Sequence, residues 1–400
     1  VKDNQMPADP VASPGDAPLP GQDAAFPAQE FATRIRNLQT VLARHDAEVL
    51  VLTGPENIFW ATGRQTAGYF AFQALVIPMD APPILLVRQL ELTAARASTW
   101  LEDIRAWQDG EDPATALALI LRGLGARRIA LEREGWFVSP ALFDRITAAM
   151  PEAQFQNGSG LAEGLRVVKS PAELAAIRLA GSYAQAGMIA AIDACRAGIS
   201  ENEIAAEMTA AALRAGSEAM AMEPLVSSGP RSGIPHATWR RRVLQTGDPV
   251  FLELAASHDR YHAALMRSVW IGPPPSEAMQ MMDVALRALD AALKAMQPGA
   301  PCSRAHDAAQ KVIDDAGHGA AFRKRIGYSM GIAFAPDWGE GAILSLLSGV
   351  ERRLEPGMVF HLPATLRSFG RFTVGASETV IMTETGPEPL SDLPQAMTLR

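Results

Sequence analysis

The sequence predicts an α+β protein in two domains, and three observations carry that reading. The chain has 400 residues, against roughly 100–200 for a typical domain. Up to about residue 160, short β-like runs alternate with helical patterns. Beyond it, long capped helices alternate with strand patterns that read as hairpins. Hydrophobic residues make up 48% and charged residues 20%. A large core can therefore be buried, which excludes a disordered chain, a collagen and a small disulfide scaffold.

Residues 1–25 are rich in Pro, Asp, Ala and Gly and read as a disordered arm; they lack the apolar stretch of a secretory signal. A smaller α/β domain is expected over residues 26–160. Its first helix, 29–44, places Phe31, Ile35, Leu38, Val41 and Leu42 at helical spacing. Strand patterns follow at 48–53, 72–77, 84–87 and 128–131, with helices around 90–100 and 113–124. The second domain, 161–400, opens on Ser170-Pro-Ala-Glu173, an N-cap serine, a proline at the first helical position and a glutamate three residues on. Ser200 and Glu203 repeat the capping box for a helix that ends before Gly216. Two more helices span 276–296 and 303–316, stopped by Pro298/Gly299 and Gly317. Strands are expected at 249–256, 261–271, 358–363 and 378–383.

Lys and Arg number 36 and Asp and Glu 44, a net charge of −8. That balance argues against nucleic acid or an anionic membrane as partner. No apolar run approaches about 18 residues, so no bilayer span is expected. The two cysteines, Cys195 and Cys302, form no C-x-x-C pair. Zinc-thiolate and dithiol chemistry fall away, and a reducing, cytoplasmic setting is expected.

Four segments set polar residues among apolar ones. In Gly233-Ile-Pro-His-Ala-Thr-Trp239, His236 follows a proline beside Trp239 and suits proton transfer. Glu253 interrupts an apolar strand; burial would raise its pKa and suit it as base or nucleophile. In the following strand, His262 and Arg267 can reach an anionic substrate group or Glu253. Last comes Gly327-Tyr-Ser-Met-Gly331 with Pro336-Asp-Trp-Gly-Glu340, where Trp338, Asp337 and Glu340 suit a cationic, planar ligand. Each segment also has a plainer reading, as a surface loop or a hairpin with solvated ends.

Together, and in this order, the four segments resemble the creatinase/aminopeptidase P family. Gly247-Asp-Pro, Leu354-Glu-Pro-Gly-Met358 and Ser377-Glu-Thr strengthen the resemblance, which spans residue 26 to the C-terminus. It implies a pita-bread catalytic domain behind a creatinase N-terminal-like domain, and a homodimer. Metallopeptidases of the family hold two metal ions through two Asp, one His and two Glu. Carried over singly, the Asp positions hold Glu253 and Ala264, the His position Tyr328, and the Glu positions Pro363 and Glu378. Two carboxylates are too few for a dinuclear cage, so no metal cofactor is expected.

Among the metal-free branches, ectoine hydrolase is the more similar. It shares the style of Pro235–Trp239, Phe251–Glu253, Arg260–His262, Pro336–Glu340 and Phe360-His361. This resemblance implies hydrolysis of a non-peptide C–N bond in a zwitterionic amidine. Glu253 would attack or activate water, His236 would move the proton, and Glu378 and His262 would orient them. Tyr328 would donate to the tetrahedral centre, with Trp338 as an aromatic wall. An Xaa-Pro peptidase and a catalytically inactive ligand-binding protein are the competing expectations.

Overall fold

A computed structural model describes residues 21–400; residues 1–20 of the expected arm lie outside it. Residues 21–25, expected within that arm, are tied down instead. Gly21 N–H donates to the Arg96 carbonyl at 3.2 Å and Asp23 N–H to that of Ala97 at 3.0 Å. The chain divides into two compact units, one ending at Leu165 and one spanning Arg166–Arg400.

The first unit comprises α1 (Ala28–Ala43), β1 (Val49–Leu52), α2 (Pro55–Thr62), β2 (Ala74–Pro78), β3 (Ile84–Arg88), α3 (Leu92–Ser98), β4 (Ile104–Trp107), α4 (Pro113–Gly123), β5 (Arg128–Leu131), α5 (Pro140–Ala149) and β6 (Gln154–Asn157), with α6 (Leu161–Arg166) at the boundary. Its strands form one mixed sheet in the order β4-β3-β2-β1-β5-β6. Val49, Val51, Ile129 and Leu131 pack against Leu117, Leu121 and Ile146 of α4 and α5. β4 and β6 were not expected from the sequence. They are the two edge strands, only partly buried, so neither carries a hydrophobic run.

The second unit comprises α7 (Pro171–Ala194), α8 (Glu201–Ala215), β7 (Leu225–Ser228), β8 (Pro249–His258), β9 (Tyr261–Trp270), α9 (Ser276–Ala295), α10 (Ser303–Asp315), β10 (Gly327–Ser329), β11 (Ser345–Leu346), β12 (Val359–Ser368), β13 (Phe372–Thr383), β14 (Gly386–Pro389) and β15 (Thr398–Leu399). Both capping boxes form, at Ser170/Glu173 and Ser200/Glu203. The strands make two sheets, β15-β9-β8-β7 and β11-β10-β12-β13-β14. Side chains stitch β9 to β13. Thr379 Oγ1 accepts from Ala264 N–H at 3.0 Å and donates to the Ala264 carbonyl at 2.7 Å. Ser268 Oγ donates to the Gly375 carbonyl at 2.9 Å. Gly375 has φ +145°, and a Cβ there would run into the Ala364 carbonyl oxygen.

Strand alternation then sorts the side chains onto two faces. The outer face of β8 and β9 (Val250, Leu252, Leu254, Leu265, Val269) packs with Met188, Ile204 and Met208 of α7 and α8. That of β12 and β13 (Phe360, Leu362, Leu366, Val374, Val380) packs with Ala285, Leu289 and Ile313 of α9 and α10. The alternate residues occupy the inner face: Phe251 and Glu253, Ala264 and Met266, His361, Pro363 and Arg367, Ser377 and Thr379. β12 and β13 run beyond the expected 358–363 and 378–383. Pro363 does not end its strand but pairs with Ser377 inside it.

Candidate active site

Glu253 sits mid-strand on β8, opposite Met266 of β9 and Leu225 of β7. It is buried. Loss of hydration pushes its carboxyl pKa up, and the charges of Lys324 and Arg367 pull it partly back. Among the described residues no protein donor hydrogen-bonds its carboxylate. That is unusual for a buried acid and leaves its oxygens available to a ligand or water.

Lys324 and Arg367 were not singled out in the sequence. Lys324 Nζ donates to the Pro363 carbonyl at 2.7 Å. The residue keeps solvent access while its ammonium reaches deep, and burial lowers its pKa against the opposing pull of Glu253. Arg367 Nε donates to Thr373 Oγ1 at 2.7 Å, and Thr373 Oγ1 donates to the Ser232 carbonyl at 2.6 Å. The Arg367 guanidinium lies 6.0 Å from the Phe251 ring centre, so β12 and β8 face one another here. Their inner-face phase is the signal that could have found Arg367: it stands four residues after Pro363 on the same strand face.

A hydrogen-bonded chain lies beside these charges. Trp338 Nε1–H donates to Tyr328 Oη at 2.9 Å; Tyr328 Oη lies 2.9 Å from His361 Nδ1; His361 Nε2 lies 2.7 Å from Ser377 Oγ. Burial, with the positive charges of Lys324 and Arg267, pushes the His361 pKa down to about 3. Burial, and then the negative charge of Glu253, pushes Tyr328 up. Both groups are neutral near pH 7. A neutral imidazole has one donor and one acceptor nitrogen, so the chain runs in one of two senses. In one of them Nδ1–H donates to Tyr328, whose own hydrogen is then free to point into the inner face.

Several expected site residues are used elsewhere. Glu378 is on the outer face, as the partner of Leu362, and accepts from Arg267 Nη2 at 2.7 Å. Arg267 is committed there too, donating also to the carbonyls of Met266, Ser377, Leu393 and Pro394. Glu340 is held by Arg166 at 2.5 Å and Lys169 at 2.8 Å; burial pushes its pKa up, but the two cations outweigh it and the net shift is downward. His262 is closed off by backbone, Nδ1 meeting the Arg260 carbonyl at 2.8 Å and Nε2 accepting from Ala221 N–H at 3.3 Å. Burial lowers its pKa to about 4. Trp239 packs against the cluster under α7 and α8, not the inner face. Asp337 is exposed and accepts from Gly339 N–H. Trp338 is buried and serves as the donor to Tyr328. His236 is exposed, with a left-handed backbone at φ +56°. Its loop follows the 3-10 turn 229–233, which is anchored near Arg367 through Ser232 and through Gly370 N–H to the Gly233 carbonyl.

The strand register also corrects one of the five metal positions. Pro363 faces Ser377 across β12 and β13, so Ser377, not Glu378, is its inner-face neighbour. The inward set is therefore Glu253, Ala264, Tyr328, Pro363 and Ser377: one carboxylate, a phenol, a hydroxyl and two residues with no donor. This set does not fit a dinuclear metal centre. Among the described residues no group of three or more His, Cys, Asp or Glu side chains is placed to hold a metal ion.

Comparison with known proteins gives the frame. The chain is 27% identical to the ectoine hydrolase of Halomonas elongata, over 93% of this chain and 98% of that one. It is also 27% identical to an Xaa-Pro dipeptidase of Lactobacillus helveticus, over 80% and 88%. The crystal structure of dipeptidase PepE from Mycobacterium ulcerans superposes with a TM-score of 0.80 at 25% identity, covering 94% of this chain and 99% of that one. The architecture is thus the pita-bread fold behind a creatinase-type N-terminal domain. The profile of the creatinase/prolidase N-terminal domain matches residues 34–168 and that of metallopeptidase family M24 matches residues 175–384. The chain belongs to the M24 family of hydrolases.

Proposed function

We propose that the protein is a metal-independent hydrolase of a non-peptide C–N bond, opening a cyclic amidine such as ectoine to an N-acetyl-diaminobutyrate. The observation that carries this reading is the inner face itself. A single carboxylate without a protein donor, Glu253, stands where metal-dependent members keep a ligand, and four of the five positions hold neither carboxylate nor imidazole.

Burial pushes the Glu253 pKa up, and Lys324 and Arg367 pull it partly back toward the ionised form. The carboxylate then either adds to the amidinium carbon or takes a proton from water that does so. In the first course the ring C–N bond breaks, the nitrogen leaves as an amine, and water then cleaves the new bond to Glu253. In the second the water oxygen bonds the carbon directly, the same C–N bond breaks, and the nitrogen leaves as an amine. Tyr328, in the sense of its chain that frees the phenol hydrogen, donates to the tetrahedral centre. His236 supplies the proton to the departing nitrogen from the loop beside Arg367. Resemblance to dimeric members of the family further supports a homodimer; light scattering that finds a fully active monomer sinks that part.

The test is incubation of chelator-treated protein with ectoine, hydroxyectoine, creatine and Xaa-Pro dipeptides, read by mass spectrometry. The expected result is a product one water heavier than ectoine or a close relative of it, with no metal added. Cleavage of an Xaa-Pro dipeptide that requires added metal supports the peptidase reading instead. Retention of ectoine without turnover supports a binding protein.

A further inference from the structure

We propose that Lys324 and Arg367 form a carboxylate clamp on the inner face, so that the ligand of this site must carry a carboxylate beside its reacting group. The location of the site rests on the hydrolase reading, but the charge argument does not depend on which bond is broken. Elsewhere in this unit buried cations are matched to carboxylates: Arg267 to Glu378, and Arg166 and Lys169 together to Glu340. Lys324, whose stem is exposed, and Arg367, half-buried, flank the buried Glu253 without such a match. Neither has a carboxylate within ion-pairing distance among the described residues. The ammonium is held by one neutral carbonyl, that of Pro363, and the guanidinium by one hydroxyl, through Nε alone.

Counting charge sharpens the point. The site holds one carboxylate, Glu253, and the cations Lys324 and Arg367, with Arg325 over the Tyr328 ring at 4.9 Å and His361 and His262 neutral. Positive charge is left over beside the buried carboxylate, and a ligand anion on the free donors would answer it. The remaining donors suit a carboxylate. Arg367 keeps its Nη–H groups, a planar fork that takes two oxygens at once, while its Nε–H is occupied in fixing its orientation on Thr373. Lys324 adds a point charge with donors to spare. Arg367 lies 6.0 Å from the Phe251 ring centre, and Phe251 is two residues from Glu253 on the same face of β8, so a ligand carboxylate on this clamp brings the adjoining ring toward Glu253. The alternative is that the two cations serve only to keep Glu253 ionised.

The experiment uses full-length Glu253→Gln protein, in which binding is read without turnover, by calorimetry. The probes are ectoine, its carboxamide, in which the carboxylate is replaced by an uncharged amide, N-acetyl-2,4-diaminobutyrate and proline. The clamp predicts that the carboxylate form of ectoine binds at least about tenfold more tightly than the carboxamide, the scale of a charged hydrogen bond. It also predicts that Lys324→Gln or Arg367→Gln removes that preference while Arg367→Lys keeps part of it. The carboxylate–carboxamide comparison needs neither clamp variant, so a variant that fails to fold does not rescue the idea. Equal binding of the two forms, or no carboxylate binding at all, overturns the clamp. If carboxylates bind through Lys324 and Arg367 but wild-type protein leaves ectoine intact, the hydrolase reading fails and the clamp stands. If ectoine and its carboxamide are hydrolysed alike, the reverse holds.

Discussion

Each unit buries a glutamate whose pKa is pushed up, and the two differ in what surrounds the carboxylate. In the first unit Glu132 accepts from Thr53 N–H at 2.6 Å, Gly54 N–H at 2.8 Å and Asn57 Nδ2 at 2.7 Å. It closes the N-terminus of α2, satisfying donors the helix cannot satisfy itself. In the second unit Glu253 has no protein donor among the described residues and two cations within electrostatic reach. Burial alone does not mark a functional acid. A carboxylate saturated by backbone is holding a fold together, and one left open among charges is available for chemistry.

A third carboxylate sharpens the contrast by carrying the largest expected effect. Glu378 is paired through Oε1 with Arg267 rather than with backbone, its Oε2 has no hydrogen-bond partner among the described residues, and both side chains are almost wholly buried. Arg267→Met would leave Glu378 without its cation and four carbonyls without their donor. The expected loss is about 3–5 kcal/mol of stability, measured by chemical denaturation. A loss near zero would mean that the seam is not held by this pair.

Next in size is Glu253→Gln. If Glu253 attacks or acts as base, turnover on the true substrate falls at least about a hundredfold, with little change in stability because a neutral amide is cheaper to bury than a charge. The wild-type rate should also show an acid limb above the ordinary carboxylate range. Burial raises this pKa, so the active anion is lost already on modest acidification. Near-wild-type turnover in the variant would put Glu253 in the same class as Glu132.

Glu132 gives the converse test, with the sign worked from its own shift. Burial, reinforced by Glu163, raises its pKa from 4.5 to about 7, against the pull of its backbone donors. The folded state therefore holds the proton more tightly than the unfolded chain does. That contribution is complete below about pH 4.5 and is lost as pH rises through about 7. Glu132→Gln should remove a pH dependence on the order of 3 kcal/mol over that window, seen as convergence or divergence of denaturation curves, with turnover unchanged. Parallel curves for the two proteins would show that Glu132 does not titrate there.

The same contrast explains what the sequence made legible. The capping boxes at Ser170 and Ser200 and the apolar strand around Glu253 are local patterns, and each led to the right element. The phase of β13 is not local. Ser377-Glu378-Thr379 offers the eye a glutamate, yet the inward residue is the serine, because Pro363 lies inside β12 and fixes the register. Lys324 and Arg367 were missed for a related reason. With the strand ended at Pro363, Arg367 reads as a solvated charge in a turn; extending β12 to Ser368 turns it onto the inner face. Arg267 and Glu340 erred the other way, since a sequence cannot show that a charged residue's donors and acceptors are already filled.

The smallest stability effect concerns His236, where strain and chemistry can be separated. A histidine at φ +56° is held in the left-handed region, which costs a non-glycine residue of order 1 kcal/mol and tends to persist where the side chain is needed. Its ring makes no hydrogen bond among the described residues and is exposed, so removing it should cost little packing. His236→Ala and His236→Gly both delete the imidazole. If it supplies the proton to the leaving nitrogen, both lose turnover alike, by an amount comparable to Glu253→Gln, and combining either with that change adds little because the two groups act as a unit. Their stabilities should differ in the order opposite to a helix or strand. Glycine accepts the left-handed backbone and alanine does not, so the glycine variant should be the more stable by up to about 1 kcal/mol. If alanine is the more stable, the loop relaxes and the positive φ is not imposed by its anchorage at Ser232 and Gly233. If the glycine variant is both more stable and fully active, the imidazole has no part in the reaction, and the proton must come from Tyr328 or from water.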